Sequence, residues 1–168
     1  VPKAGDVVIV LGGPAMLIGL GGGSASSTKK TNDNADLDFA SVQRSNPEMQ
    51  RRAQQVLDKF NERSSKNPIT FIHDVGAGGI SNAIPELAKD TDLGVEINLE
   101  NINSADQTMS PMELWCNESQ ERYVFTIPMK KLRALEDICR KERCPFSIAG
   151  YLTEDKIIKI RFYEDEIV

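Results

Sequence analysis

The sequence is poor in the residues that build disulfide frameworks, metal cages and histidine-dependent active sites. Its 168 residues include three cysteines and a single histidine. The cysteines, Cys116, Cys139 and Cys144, show no CxxC spacing. An odd number of cysteines without that spacing argues against a disulfide framework and against structural zinc. A reduced, cytoplasmic protein is therefore the expected class.

Long apolar runs and an excess of positive charge are also missing. No apolar run reaches the roughly 18 residues that a transmembrane helix needs, so no membrane span is expected. The formal net charge is -5, which argues against a broad nucleic-acid-binding surface. The chain starts at Val1 without an initiator methionine or a signal peptide. We expect residues 1–168 to be a single domain excised from a longer protein.

Hydrophobic periodicity predicts a mixture of strands and helices. Asn46-Pro47 has the form of a helix start, and Ser110 to Glu113 has the form of a capping box. Pro85 is expected either to kink a helix or to begin a later one. Strands are predicted at 6–11, 69–72, 95–99, 122–127, 146–152 and 156–162, with a short one at 15–18, and helices at 46–60, 80–88, 110–115 and 130–141. Residues 153–155 are predicted to form the hairpin turn between the last two strands. The pattern favours an α/β or α+β mixed-sheet sandwich with flanking helices.

The most informative stretch is Thr70 to Ser81, in which an apolar run ends at His73-Asp74 and three glycines follow within four residues. It predicts a strand, a tight turn and a helix, an arrangement that suits anions, metals and phosphates. Asp74 could be a ligand of a hard cation such as Mg²⁺, or it could stabilise the turn. For His73 a structural hydrogen bond is favoured over catalysis.

Two other stretches could bind a ligand. Polar residues 117–121 precede a predicted buried strand, and on a strand entry Glu118 and Gln120 would point to the same side, as donor and acceptor groups for a ligand. A solvated loop is the alternative. The glycine- and serine-rich residues 21–27 could form an anion nest or a plain linker. Cys116 is a weak candidate nucleophile, and a buried inert thiol is favoured.

Four motifs together resemble one known family. They are GLGGGSASS at 19–27, NADLDFASVQRSNPEM at 34–49, FIHDVGAGGISNAIPEL at 71–87 and MELWCNESQERY at 112–123. They are similar to the large, single-chain form of phosphoribosylformylglycinamidine synthase, and the likeness covers nearly the whole chain. In particular, the chain resembles the first of two sandwich domains that share a fold with the C-terminal domain of aminoimidazole ribonucleotide synthetase.

The resemblance implies a ligase of purine biosynthesis that uses ATP and glutamine to convert formylglycinamide ribonucleotide to formylglycinamidine ribonucleotide. Carried over by position, it implies that Asp74 is a Mg²⁺ ligand. It also implies that the substrate is contacted by Gln43, Glu118, Ser119 and Gln120. A phosphate contact near Gly22, Gly23 and Ser24 is a hypothesis, and His73 receives no role.

The resemblance also implies that several functional groups of the family lie outside these 168 residues. The catalytic histidine, the main ATP-binding residues and the glutaminase triad of the family belong to other regions, so no catalytic residue is assigned here. We expect the 168 residues alone to be inactive and to work with the remaining synthetase and glutaminase domains. Two alternatives stay open: a domain of another ATP-using enzyme of the same superfamily, and a structural domain without ligand contacts.

Overall fold

The computed structural model describes residues 1–20, 46–63 and 66–168. The strands in this part of the chain are β1 (Val7–Gly12), β2 (Phe71–Asp74), β3 (Gly94–Asn98), β4 (Arg122–Ile127), β5 (Phe146–Thr153), β6 (Ile158–Phe162) and β7 (Asp165–Glu166). The α-helices are α1 (Pro47–Glu62), α2 (Ile80–Thr91), α3 (Pro111–Cys116) and α4 (Leu132–Glu142). In these residues no helix combines the length and the apolar character needed to cross a membrane.

The strands form one mixed sheet in the order β2-β4-β1-β5-β3-β6-β7. The pairs are antiparallel except for β3 and β6, which are parallel. β1 lies inside the sheet, between β4 and β5. All six of its residues are buried, as expected of an apolar strand covered on both faces. The predicted mixed sheet with flanking helices is confirmed.

Two hydrophobic clusters cover the two faces of the sheet, because side chains of β1 alternate between them. Val7, Ile9 and Leu11 pack with the apolar stripes of α1 and α4. Val8 and Val10 pack with α2, α3 and the inner residues of β3 and β6. β2 lies at one edge and pairs only with β4 in the sheet order. The end of β2 is therefore accessible beside the loop that leads into β4.

Local sequence signals set the helix starts. The Asn46 side chain accepts a hydrogen bond from the Met49 N–H at 3.1 Å, and Pro47 is the first residue of α1. At α3 the Ser110 hydroxyl accepts from the Glu113 N–H, and the Glu113 carboxylate accepts from the Ser110 N–H. Such reciprocal bonds satisfy two N–H groups that a helix start leaves unpaired. Both predicted starts are confirmed.

Three local predictions are wrong or resolved by the structure. Residues 153–155 do not join a hairpin, since β3 lies between β5 and β6 and pairs with both. Residues 15–18 do not form a strand, and only an isolated bridge joins Ala15 to Ser104. Pro85 lies inside α2, which runs without interruption from Ile80 to Thr91, so no later helix starts there.

Candidate functional site

Asp74 is the last residue of β2, and the glycine turn follows it directly. The side chain of Asp74 is 80% exposed, and His73 Nδ1 lies 3.8 Å from its Oδ1. The next residue, Val75, donates its N–H to the carbonyl oxygen of Arg122 at 3.0 Å. This bond ties the beginning of the turn to the first residue of β4. An exposed carboxylate therefore stands on a fixed backbone at the edge of the sheet.

The glycine turn packs against the loop that connects α3 to β4, which we call the 117–121 loop. Gly78 donates its N–H to Glu118 Oε1 at 2.8 Å. Gly79 has φ 61° and ψ -147°, and a Cβ atom there would lie 2.0 Å from the Asn117 carbonyl oxygen. Only glycine fits such a conformation and such a close approach. The two regions that the sequence singled out are thus in direct contact.

Glu118 lies between two glycine-containing segments. It is 9% exposed, and its N–H donates to the Ile18 carbonyl oxygen at 2.7 Å. Gly19, with φ 66°, is so close that a Cβ atom would lie 2.6 Å from Glu118 Oε2. One carboxylate oxygen is thus bonded to the Gly78 N–H, and the other faces Gly19.

Ser119 and Gln120 differ in how accessible they are. Ser119 is fully buried, and its hydroxyl accepts from the Met16 N–H at 2.8 Å and donates to Asn117 Oδ1 at 2.7 Å. Gln120 is half-buried, and its side-chain amide donates to the Glu118 carbonyl oxygen at 2.9 Å. The alternation expected for a strand entry does not apply, because β4 begins only at Arg122 and Glu121 has φ 57°.

His73 is held by hydrogen bonds on both ring nitrogens. Its Nε2 lies 2.5 Å from Glu86 Oε2 of α2, and its Nδ1 lies 2.5 Å from the backbone oxygen of Asp74. The bond to Glu86 ties the end of β2 to α2. Both ring nitrogens thus have partners in the protein, and the structural role of His73 stays a prediction.

Two residues in and beside the 117–121 loop received no role of their own from the sequence. Asn117 is fully buried and Arg122 is 2% exposed, and they hydrogen bond to each other. Burial lowers the pKa of the Arg122 guanidinium to about 10. A signal was present, since an arginine at the first position of the apolar run RYVFTI is unusual unless its charge has partners.

Four candidate residues, Gln43, Gly22, Gly23 and Ser24, lie outside the described residues. The described residues that flank this part of the chain both contact the 117–121 loop. On one side Gly19 packs against Glu118, and on the other side Asn46 donates its N–H to Glu121 Oε1 at 3.0 Å.

The oxygen ligands of the Asp74 carboxylate are chemically compatible with Mg²⁺. Within residues 1–20, 46–63 and 66–168, no group of three or more His, Cys, Asp or Glu side chains could hold a metal ion by itself. Mg²⁺ is commonly bound by one or two carboxylates together with phosphate oxygens of a substrate. A single exposed carboxylate on a fixed strand end matches that mode, whereas a closed protein cage is not present in this part of the chain.

Comparisons with known proteins identify the family and the fold of the chain. The family described as "AIR synthase related protein, C-terminal domain" matches residues 3–162. A phosphoribosylformylglycinamidine synthase of Saccharomyces cerevisiae is 56% identical over 155 residues, which are 92% of this chain and 11% of the yeast protein. The chain thus spans about a tenth of the length of that curated relative.

Solved structures with a similar fold include PurL of T. maritima in two complexes. The complex with FGAR matches with a TM-score of 0.85 and 22% identity, over 99% of this chain and 27% of that chain. The complex with ATP matches with a TM-score of 0.78 and 20% identity, over 100% of this chain and 25% of that chain. At such identities the likeness establishes the fold.

Proposed function

The chain belongs to the family of AIR synthase related proteins, C-terminal domain, and on that premise we propose that it is a substrate- and magnesium-binding domain of a phosphoribosylformylglycinamidine synthase. The proposed reaction is the ATP- and glutamine-dependent conversion of formylglycinamide ribonucleotide to formylglycinamidine ribonucleotide. The identity of 56% to the yeast synthase supports this assignment.

The hydrogen bond between the Gly78 N–H and Glu118 Oε1 carries the proposal. It joins the turn that follows Asp74 to the loop that holds Glu118, Ser119 and Gln120. A metal ligand and a substrate loop must be adjacent if one phosphate-bearing substrate is to meet both.

Each predicted residue has a distinct part in the proposed site. Asp74 would hold Mg²⁺, which when bound neutralises charge on phosphoryl oxygens. Glu118 would keep the glycine turn in place through Oε1, while its Oε2 faces Gly19, just ahead of the glycine-serine segment. Gln120, half-buried, offers its amide to the ribonucleotide. Ser119, whose hydroxyl is already bonded on both sides, would contribute through the backbone of its loop.

The remaining candidates are proposed to complete the same site. Gln43 is three residues before Asn46 in the sequence, and Asn46 is bonded to Glu121. Gly22, Gly23 and Ser24 follow shortly after Gly19, which packs against Glu118. These two contacts at the 117–121 loop support the proposal that Gln43 binds the ribonucleotide and that the glycine-serine segment contacts a phosphate.

We further propose that the domain acts in the cytoplasm, within a longer synthase whose other domains bind most of the ATP and supply ammonia from glutamine. The 117–121 loop and the glycine turn contain no nucleophile paired with a base, and the single histidine is engaged by Glu86. The isolated 168 residues should therefore neither hydrolyse glutamine nor form product.

The test is a pair of substitutions in a full-length synthase that contains these residues. Asp74→Asn should lower kcat by about a hundredfold or more, because charge stabilisation by a metal contributes several kcal/mol. Gln120→Ala should raise the KM for formylglycinamide ribonucleotide about tenfold, because one hydrogen bond to a ligand is lost. Asp92→Asn, equally exposed at 80%, and Gln54→Ala on α1 are the matched controls.

Unchanged turnover and KM in both Asp74→Asn and Gln120→Ala would refute the proposal and favour a structural domain. Formation of product from ATP, ammonia and formylglycinamide ribonucleotide by the isolated chain would refute its dependence on other domains.

A further inference from the structure

The guanidinium group of Arg122 is buried beneath the 117–121 loop. Arg122 opens β4 and is 2% exposed. In the part of the chain that the structure describes, it forms no ion pair with a carboxylate. Its hydrogen-bond acceptors are instead amide oxygens of the loop above it. Burying a charge is costly unless hydrogen bonds compensate, so the bonds that Nε and Nη2 donate to the loop are important, all the more because Nη1 has no partner among the described residues.

Arg122 holds the residues on both sides of Glu118. Its Nε donates to the Ser119 carbonyl oxygen at 3.0 Å, and its Nη2 donates to the Asn117 carbonyl oxygen at 3.1 Å. Because the guanidinium is planar and rigid, its donors fix the separation and the direction of the two carbonyl groups. Glu118 lies between them, so its backbone can occupy only a narrow range of positions.

Asn117 extends this network to the end of α3. Its side-chain amide donates to the carbonyl oxygens of Glu113 and Leu114 at 2.8 and 2.9 Å. Its Oδ1 accepts from Arg122 Nη2 at 3.0 Å and from the Ser119 hydroxyl at 2.7 Å. The loop is therefore linked to a helix end on one side and to β4 on the other.

We propose that Arg122 is a positioning residue for substrate binding, acting through the 117–121 loop. By fixing the backbone on both sides of Glu118, Arg122 orients the Glu118 carboxylate toward the glycine turn. It also orients the Glu118 carbonyl group, which accepts a hydrogen bond from the Gln120 amide at 2.9 Å. Arg122 itself does not touch the ribonucleotide. The inference rests on the proposed function, in which Glu118 and Gln120 are substrate contacts.

The experiment is the substitution Arg122→Lys in the full-length synthase. Lysine keeps the charge but lacks the planar fork, so one of the two loop carbonyls loses its donor. Residues that orient metal ligands through hydrogen bonds typically contribute about 10- to 100-fold, and we take the same scale for a residue that orients a substrate loop. We expect the KM for formylglycinamide ribonucleotide to rise by about that factor, with kcat changed only a few-fold.

Arg161→Lys is the matched control. Arg161 is a partly buried arginine on β6, and its Nε lies 3.1 Å from Glu96 Oε1. Three strands separate β6 from β4 in the sheet. Its replacement by lysine should leave the KM unchanged. The thermal midpoint of each variant, measured on the same samples, shows how much of any effect is a loss of stability.

A purely structural arginine would behave differently. Arg122→Lys would then lower the thermal midpoint or the folded fraction, while the folded enzyme kept its KM, and that result would overturn the inference. If the lysine variant does not fold, Arg122→Gln, which has no charge to bury, is measured by the same criterion. Failure of both variants to fold also counts against the inference, because it is the behaviour of a structural residue.

Gln120→Ala separates this inference from the proposed function. If Gln120→Ala leaves the KM unchanged, the proposed substrate contact itself fails. If Gln120→Ala raises the KM and Arg122→Lys does not, only the positioning role of Arg122 is refuted.

Discussion

Replacing Gly79 by alanine should separate the glycine turn from the 117–121 loop. Gly79 has φ 61° and ψ -147°, a region that residues with a side chain almost never occupy. A Cβ atom would lie 2.0 Å from the Asn117 carbonyl oxygen, whereas a carbon–oxygen contact needs about 3.3 Å. Backbone on one side must therefore move by more than about 1 Å.

Two costs contribute to the expected loss of stability. The backbone conformation costs on the order of 1–3 kcal/mol for a residue with a Cβ atom. The displacement also strains the bond from the Gly78 N–H to the Glu118 carboxylate, and a hydrogen bond to a charged group contributes about 1.5–3 kcal/mol. Together they amount to at most about 2.5–6 kcal/mol, a large share of the roughly 5–15 kcal/mol that keeps a domain folded.

Urea denaturation of the 168-residue chain measures this loss. With a slope of about 2 kcal/mol per molar urea, the midpoint of Gly79→Ala should fall by about 1–3 M. Gly76→Ala is the control within the same turn, because a Cβ atom there has no heavy atom within 4 Å. It should change the stability by no more than about 0.5 kcal/mol. Equal midpoints for the two variants would show that the reasoning about the turn is wrong.

Two further predictions concern the rates at which the cysteines react and the stability of the chain at acidic pH. Burial raises the pKa of Cys139 to about 12 and that of Cys144 to about 11, so at pH 8 a thiol-reactive disulfide should label the half-buried Cys116 first. Labelling of all three at one rate in the folded chain, read by peptide mass spectrometry, would contradict this. The hydrogen bond from Lys159 lowers the pKa of Asp155 to about 2, below its unfolded value of about 3.8. The stability that Asp155 contributes is therefore complete above about pH 4 and disappears as the pH falls toward 2. The thermal midpoint of Asp155→Asn should lie below that of the unchanged chain at pH 7 and meet it near pH 2, and a gap independent of pH would refute the assignment.

The sequence predicted those elements whose signals are local. The bounds of β4 agree residue by residue, because the apolar run RYVFTI is flanked by polar residues and by Pro128. The starts of α1 and α3 agree, because Asn46 and Ser110 carry the capping groups beside a proline. Such features depend only on a few neighbouring residues.

The failures concern pairing between distant segments. Residues 153–155 have the composition of a hairpin turn, but the chain crosses the end of β3 there. The residues at 153–155 carry no local signal that β3 lies between β5 and β6. The same difference between local motifs and long-range contacts applies to the candidate site. The contact of Gly78 with Glu118 joins residues 40 positions apart, so the motifs could be singled out separately while their contact could not be derived from spacing. The position of Arg122 at the start of the apolar run RYVFTI was a signal, but its partners, the carbonyl groups of the 117–121 loop, could not be derived from the sequence.

The position of β3 between β5 and β6 has a consequence for synthesis of the chain. In the sheet order, β6 and β7 are attached to the other strands only through β3. Until residues 158–166 leave the ribosome, the outer edge of β3 keeps unpaired N–H and C=O groups. Such an edge is a template on which a second unfinished chain can add. Pairing of residues 158–166 beside β3 therefore protects the nascent domain against aggregation.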